Sequence, residues 1–203
     1  NSSVVAGERN SALGEYAHIS NGQCNIVTGN CSTVVGGLSN CAMGSDFSFV
    51  AGGKNNKATS GKNNFIGSGL GNQICGTGGF AFIGGGYGNK ATGLCTVVGG
   101  GDENTASGTE SFIGAGGANQ TCAADSVVAG GCCNVTTGAR SGVVAGQCNC
   151  PKTIGSFIGA GDDNTVGGTT SMAITTAYRG FVGAGQCNHV FSACAAVVAG
   201  NCN

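Results

Sequence analysis

The sequence predicts an all-β fold: a parallel β-roll, or β-solenoid, of coils about fifteen residues long with two short strands each. Three observations predict it. One Asn recurs along the whole chain, at Asn10, Asn25, Asn40, Asn56, Asn72, Asn89, Asn104, Asn119, Asn134, Asn149, Asn164, Asn188 and Asn203, mostly 15 residues apart. Gly stands three places before each of them and Val or Ile six places before, as in Val98, Gly101 and Asn104. The composition closes the other routes, because 42 residues are Gly and only 8% are charged. A Gly costs a helix about 1 kcal/mol relative to Ala. Collagen needs Gly at every third place and abundant Pro, and here there is one Pro. Disordered chains lack apolar residues and carry net charge, whereas this one is 40% hydrophobic with a net charge of -1.

The elements follow in order along each unit. The first strand carries the Val or Ile column. Alternation sends that residue, and the Gly or Ala two places on, to one side. A Gly corner follows, then the Asn. Stacked identical Asn side chains can hydrogen-bond as a ladder. The second strand offers one small residue to the same side, as at Ala12, Val27, Ala42, Ala58, Ile74, Ala91, Ala106, Val166 and Val190. A second Gly-rich corner closes the unit. Such a unit cannot fold alone; stacked copies repeat every ~4.8 Å. Residues 1–203 read as a single solenoid domain with an irregular coil at 169–180, where the interval stretches to 24. The repeat runs to both ends, so the expectation is an excerpt of a longer chain.

A second apolar column lies seven places before the Asn, at Phe49, Phe65, Phe82, Phe112, Phe157 and Phe181, with Val97 and Val127 in the same place. It points away from the Val and Ile column. One reading is a wider solenoid with Phe inside and Val outside. The preferred reading is a packed subunit interface, since exposed apolar columns of this length are uncommon on monomers.

The units Ser111-Phe112-Ile113-Gly114-Ala115-Gly116 and Asn104-Thr105-Ala106-Ser107-Gly108 resemble the head repeats of trimeric autotransporter adhesins, the YadA type. Similar repeats occur in bacteriophage and giant-virus fibre proteins. The resemblance covers essentially the whole chain. It implies a left-handed roll, three chains side by side, and a role in surface attachment. The thirteen Cys depart from the autotransporter pattern and favour a viral fibre.

Cys133 and Cys148 each precede the ladder Asn in successive units, and so do Cys187 and Cys202. One strand spacing separates their Cα atoms, inside the bridgeable range. Both pairs are therefore candidate disulfide staples, which would imply an oxidising place of residence. The bland alternative is that Cys is a small filler. A zinc site from Cys148, Cys150 and Cys133, or from Cys187, His189 and Cys202, competes weakly, because the spacings follow the repeat and not a metal framework. His18 and His189 are the sole histidines and support no nucleophile pair. The Gly84–Gly88 stretch lacks the Lys-Ser/Thr of a phosphate loop. Asp102-Glu103 and Asp162-Asp163 read as solvated corners. The formal sequons at Asn1, Asn30, Asn119 and Asn134 read as chance, two of them being ladder residues.

The expected function is a non-catalytic structural or adhesive fibre segment, extracellular, at a virion or cell surface, assembling as a homotrimer with no cofactor. The expected outside partner is a host-surface glycan or protein receptor, with Tyr178-Arg179 a candidate contact in the irregular coil. With eight Lys+Arg against nine Asp+Glu there is no basic face for nucleic acid. No apolar run approaches the roughly 18 residues of a membrane span. The alternatives are a polysaccharide-binding or depolymerising tail protein, which needs clustered carboxylates, and an ice-binding solenoid, which needs a regular Thr array. Here Thr28, Thr59, Thr92 and Thr137 form only a partial column.

Overall fold

The computed structural model describes residues 1–76, 78–168 and 179–203. The described elements are two-residue strands, all paired in parallel, with no helix. They build a β-solenoid whose successive coils are about 15 residues apart in sequence. The chain divides into two compact units, Asn1–Glu103 and Asn104–Asn203.

In the first unit one sheet stacks Ser3–Val4, His18–Ile19, Thr33–Val34, Phe49–Val50, Phe65–Ile66, Phe82–Ile83 and Val97–Val98. The second sheet stacks Ser11–Ala12, Ile26–Val27, Cys41–Ala42, Lys57–Ala58, Gln73–Ile74 and Lys90–Ala91. In the second unit the first sheet runs through Phe112–Ile113, Val127–Val128, Gly142–Val143, Phe157–Ile158, Phe181–Val182 and Ala196–Val197. Its other wall holds Thr105–Ala106, Gln120–Thr121 and Val135–Thr136, and then a separate ladder of Cys150–Pro151, Thr165–Val166 and His189–Val190. The break falls at the one Pro in the chain. Pro151 has no N–H to give the Val135 carbonyl, so the ladder between those strands is not completed.

Register places Val or Ile over Val or Ile at every step, as in Ile83 on Ile66 and Ile158 on Val143. A slip by one residue would turn this column out and the Phe column in. The interior differs from the expectation in one respect. The Gly or Ala two places after the Val or Ile does not face inward. The strand ends after two residues, and that position lies in the corner, where its carbonyl accepts the ladder Asn: Asn40 Nδ2 donates to Gly36 O at 2.9 Å, and Asn134 Nδ2 to Gly130 O at 3.1 Å. The space is filled by a column that the sequence reading passed over, two places before the Val or Ile. Ser48, Thr96, Ser111, Ser126, Ser141 and Ser156 all lie buried there. Their hydroxyls are satisfied locally; Ser126 Oγ donates to Ala123 O and Ser156 Oγ to Thr153 O, both at 2.6 Å.

Two corners per coil adopt the left-handed conformation, in most coils on residues that are not Gly. The residue before the ladder Asn does so, as at Cys24, Cys133 and Asp163, with φ of 57°, 58° and 55°. So does the residue three places before the Val or Ile, as at Phe47, Asp125 and Arg140. This conformation is uncommon for side-chain-bearing residues. It turns the N–H along the axis: Cys24 donates to Glu8 O and Arg140 to Ala124 O, both at 2.9 Å. The axial hydrogen bond, repeated coil by coil, offsets the local cost.

Candidate functional site

The Asn ladder is interior. From Asn25 to Asn188 its members are fully buried. In the second unit Asn119, Asn134, Asn149, Asn164 and Asn188 each donate from Nδ2 to the Oδ1 of the Asn one coil before, at 2.9–3.1 Å. In the first unit the same direct bond joins Asn25 to Asn10 and Asn89 to Asn72. Elsewhere the Oδ1 takes the next backbone N–H, as Asn40 Oδ1 does from Asn56 at 3.0 Å. Each Nδ2 also donates to the corner Gly carbonyl of the following coil, as Asn134 does to Gly146 O at 2.9 Å. The Gly three places before the Asn is obligatory for the same reason. At Gly131 φ is +92°, and a Cβ there would lie 2.1 Å from Gly146 O. Burial also shuts the sequons at Asn119 and Asn134.

The Phe column lies outside. Phe49, Phe65, Phe82, Phe112, Phe157 and Phe181 are 36–40% exposed, while Ile66, Ile83, Ile113 and Ile158 next to them are fully buried. This overturns the wide-solenoid reading. Within the first unit Phe49, Phe65 and Phe82 stack, with centroids 5.5 and 5.2 Å apart and planes 5° from parallel. Within the second, Phe157 and Phe181 stack at 6.0 Å. The rings of Phe65, Phe82, Phe112 and Phe181 also lie over the Gly two places on. Phe82 Cε1 is 3.4 Å from where a Gly84 Cβ would stand, and Phe181 Cε1 3.3 Å from that of Gly183. The two outward positions complement each other in volume. Phe65, Phe82, Phe112, Phe157 and Phe181 are each followed by Gly at that place; Gly142 and Ala196 are followed by Val144 and Val198.

The candidate staple residues sit where the repeat puts them, and all four are thiols in this structure. Cys133 has two sulfur neighbours. Cys132 Sγ is 3.1 Å away, and Cys148 stands one coil on. The Cys132 hydrogen bond, with smaller help from desolvation and from the neighbouring sulfurs, pushes the Cys133 thiol up to about 11. Cys187 is also raised, by desolvation first, then by Cys202 and by Asp163, whose Oδ2 lies 3.9 Å from its sulfur. Eight of the cysteines occupy left-handed corners: Cys24, Cys31, Cys95, Cys133, Cys148, Cys187, Cys194 and Cys202. By contrast Cys41 is buried, and that burial raises its thiol, as the filler reading expects.

Among the described residues no three of His, Cys, Asp and Glu converge as a metal site would need. His189 Nδ1 lies 3.1 Å from the Cys187 carbonyl, and its ring stacks on Phe191. His18 bridges two serines, with Ser3 Oγ 2.7 Å from Nδ1 and Ser20 Oγ 3.0 Å from Nε2. Both of these contacts are to hydroxyls, and neither is to a carboxylate. Among the described residues no helix is long and apolar enough to cross a membrane. Residues 169–178, with most of the irregular coil and Tyr178, lie outside the described residues. No family model matches this chain, and no curated protein matches it.

Proposed function

We propose that the chain is a non-catalytic, self-associating fibre or head segment of the kind its repeats resemble, extracellular, displayed at a virion or cell surface and used for attachment. The observation that carries this is the run of outward apolar residues on each unit's first sheet, Phe49, Phe65, Phe82 and Val97 in the first and Phe112, Val127, Phe157 and Phe181 in the second, whose Phe rings are 36–40% exposed. A soluble solenoid gains nothing from such a wall facing water, and cyclic packing of identical chains is the economical way to cover it. The resemblance supplies the threefold symmetry.

The energetics set a limit on the aromatic column. A fully buried Phe is worth about 1.5–3 kcal/mol, but each ring is already more than half covered, so docking adds only about 1 kcal/mol per ring. Association itself costs an estimated 4–15 kcal/mol. The Phe rings alone do not make the assembly obligate. The outward valines of the same walls, Val35 and Val144 among them, are 37% and 48% exposed and add apolar area to the same face.

Light scattering on the native protein tests the reading. A mass of three chains, stable on dilution, is the expected result. A non-aggregating single chain at micromolar concentration overturns it. Electron microscopy of the same sample shows the symmetry.

A further inference from the structure

The second unit has a left-handed corner column of Glu110, Asp125, Arg140, Gly155, Arg179 and Cys194. Its central members are held in axial register: Gly155 N–H donates to Ala139 O at 2.9 Å, and Arg179 N–H to Ile154 O at 3.1 Å. Arg140 and Arg179 therefore flank Gly155 from the coils on either side, with α-carbons roughly 10 Å apart. Gly155 has no side chain to fill the interval. The result is an open cavity of about 520 Å³ lined by Arg140, Ile154, Gly155 and Arg179. Arg179 Cγ lies 3.4 Å from where a Gly155 Cβ would stand, so the arginine stem forms one side of the notch.

Among the described residues neither guanidinium of the notch is held in an ion pair; the pairs are Arg9 with Glu8 and Lys62 with Asp46. Arg140 and Arg179 are two of the three arginines in the chain, which is otherwise poor in charge. Two arginines lining one gap suit a planar or tetrahedral anion, which a guanidinium can hold bidentately. Ile154 gives an apolar patch beside it. The volume falls in the range of sites for one small ligand. A long polyanion is disfavoured, because Glu110 and Asp125 occupy the next positions of the same column.

We propose that this notch binds the acidic group, a carboxylate or a sulfate ester, of one sugar residue in a surface glycan. The inference rests on the attachment role proposed above and names its ligand class.

The test uses the purified native protein on sensor surfaces carrying a galacturonate oligosaccharide, a galactose-6-sulfate oligosaccharide or a neutral galactose oligosaccharide. Binding to at least one charged probe, ten-fold or more tighter than to the neutral one, is expected, and the tighter of the two identifies the acid. Arg140→Gln and Arg179→Gln should each weaken that binding about ten-fold. Gly155→Asn should abolish it with both arginines in place, since non-Gly residues already hold this corner conformation at Arg140 and Arg179. Circular dichroism and light scattering on each variant separate loss of the site from loss of fold or assembly. The proposal is overturned by equal binding of charged and neutral probes, by no binding at millimolar probe, by variants that bind like the wild type, or by preference for single-stranded DNA through the same arginines. A single-chain species that still binds the charged probe leaves the notch standing and removes the assembly reading.

Discussion

Phe65 and Phe82 stack across successive coils with their centroids 5.2 Å apart and their planes 5° from parallel. The partner one residue along faces the other way: Ile83 is fully buried, while Phe82 is 39% exposed. The two positions therefore have separable consequences. Phe82→Asp puts an unpaired charge into the face assigned to subunit contact, where its desolvation opposes docking. It is expected to lower the mass seen by light scattering toward one chain while leaving the circular dichroism spectrum in place. Ile83→Ala is expected to cost about 2–5 kcal/mol of folding stability by opening a core cavity. A Phe82→Asp protein with unchanged mass on dilution counts against the aromatic face as an interface.

Thr136 shows the reverse situation, a polar group where an apolar one fits. It sits in the inward column of the second strand, fully buried, and its hydroxyl has no hydrogen-bond partner. Its neighbour in the column, Thr121, donates to Ser111 Oγ at 2.9 Å and is satisfied. Thr136→Val should raise stability by about 1 kcal/mol, because it removes an unpaired buried hydroxyl at nearly constant volume. Thr121→Val should do the opposite. Thermal unfolding of the two variants side by side checks the sign, and stabilisation by both would remove the distinction.

The period carried most of the fold. Thirteen Asn with Gly and Val or Ile at fixed offsets specify which residues share a column, and columns in a parallel solenoid are the core. What stayed hidden did so for physical reasons. The interior Ser column is visible as Ser111, Ser126, Ser141 and Ser156, but serine usually marks a turn, and its burial depends on a carbonyl three residues back that only the folded corner presents. The left-handed corners at Cys24 or Phe47 carry no sequence mark, since Gly and Asn are the usual signals for that conformation. The Phe residues are recognisable as outward, but the cover that Gly84 or Gly183 gives them is a property of the corner geometry. The repeat offset puts Arg140, Gly155 and Arg179 in one column, three places before Val143, Ile158 and Val182, but the open cavity beside Gly155 is seen only in the folded corner.

Cys133 carries a pH prediction whose sign is fixed by its neighbour. The Cys132 hydrogen bond favours the neutral thiol, so the pKa rises to about 11. Only the thiolate reacts. Alkylation of Cys133 by iodoacetamide should therefore climb about ten-fold per pH unit from pH 8 to 10 and level off only near pH 11. Cys132→Ala removes the largest cause and should move the plateau down. A plateau near pH 9 in the wild type would contradict the geometry. The same shift makes the proposed Cys133–Cys148 staple slow to form at neutral pH. With oxidised glutathione, the Cys133 thiolate attacks the disulfide and releases one glutathione; Cys148 then displaces the second. Peptide mapping after exchange at pH 9.5 should recover Cys133–Cys148 and Cys187–Cys202. Recovery of free thiols, or of Cys132 joined to Cys133, sinks the staple.

The ladder position makes the strictest demand on side-chain chemistry, and Asn134→Asp isolates it. Asn134 Oδ1 accepts from Asn149 N–H and from Asn149 Nδ2, both at 3.0 Å. Its Nδ2 donates to Gly130 O, Gly146 O and Asn119 Oδ1, at 2.9–3.1 Å. An amide supplies both functions from one short side chain. Asp has the same shape but no donor when ionised, so three oxygens would face a buried carboxylate. The site then either protonates that carboxylate or loses the corner bonds. Asn134→Asp is thus expected to cost about 3 kcal/mol or more, given the penalty for leaving buried polar groups unpaired. The cost should shrink as pH falls, because the protonated acid regains one donor and the introduced carboxyl would have a folded-state pKa above its unfolded value. Denaturant unfolding of Asn134→Asp and wild type at pH 4 and pH 8 checks both points. Equal destabilisation at the two pH values would show that loss of shape, and not loss of the donors, is what the ladder resists.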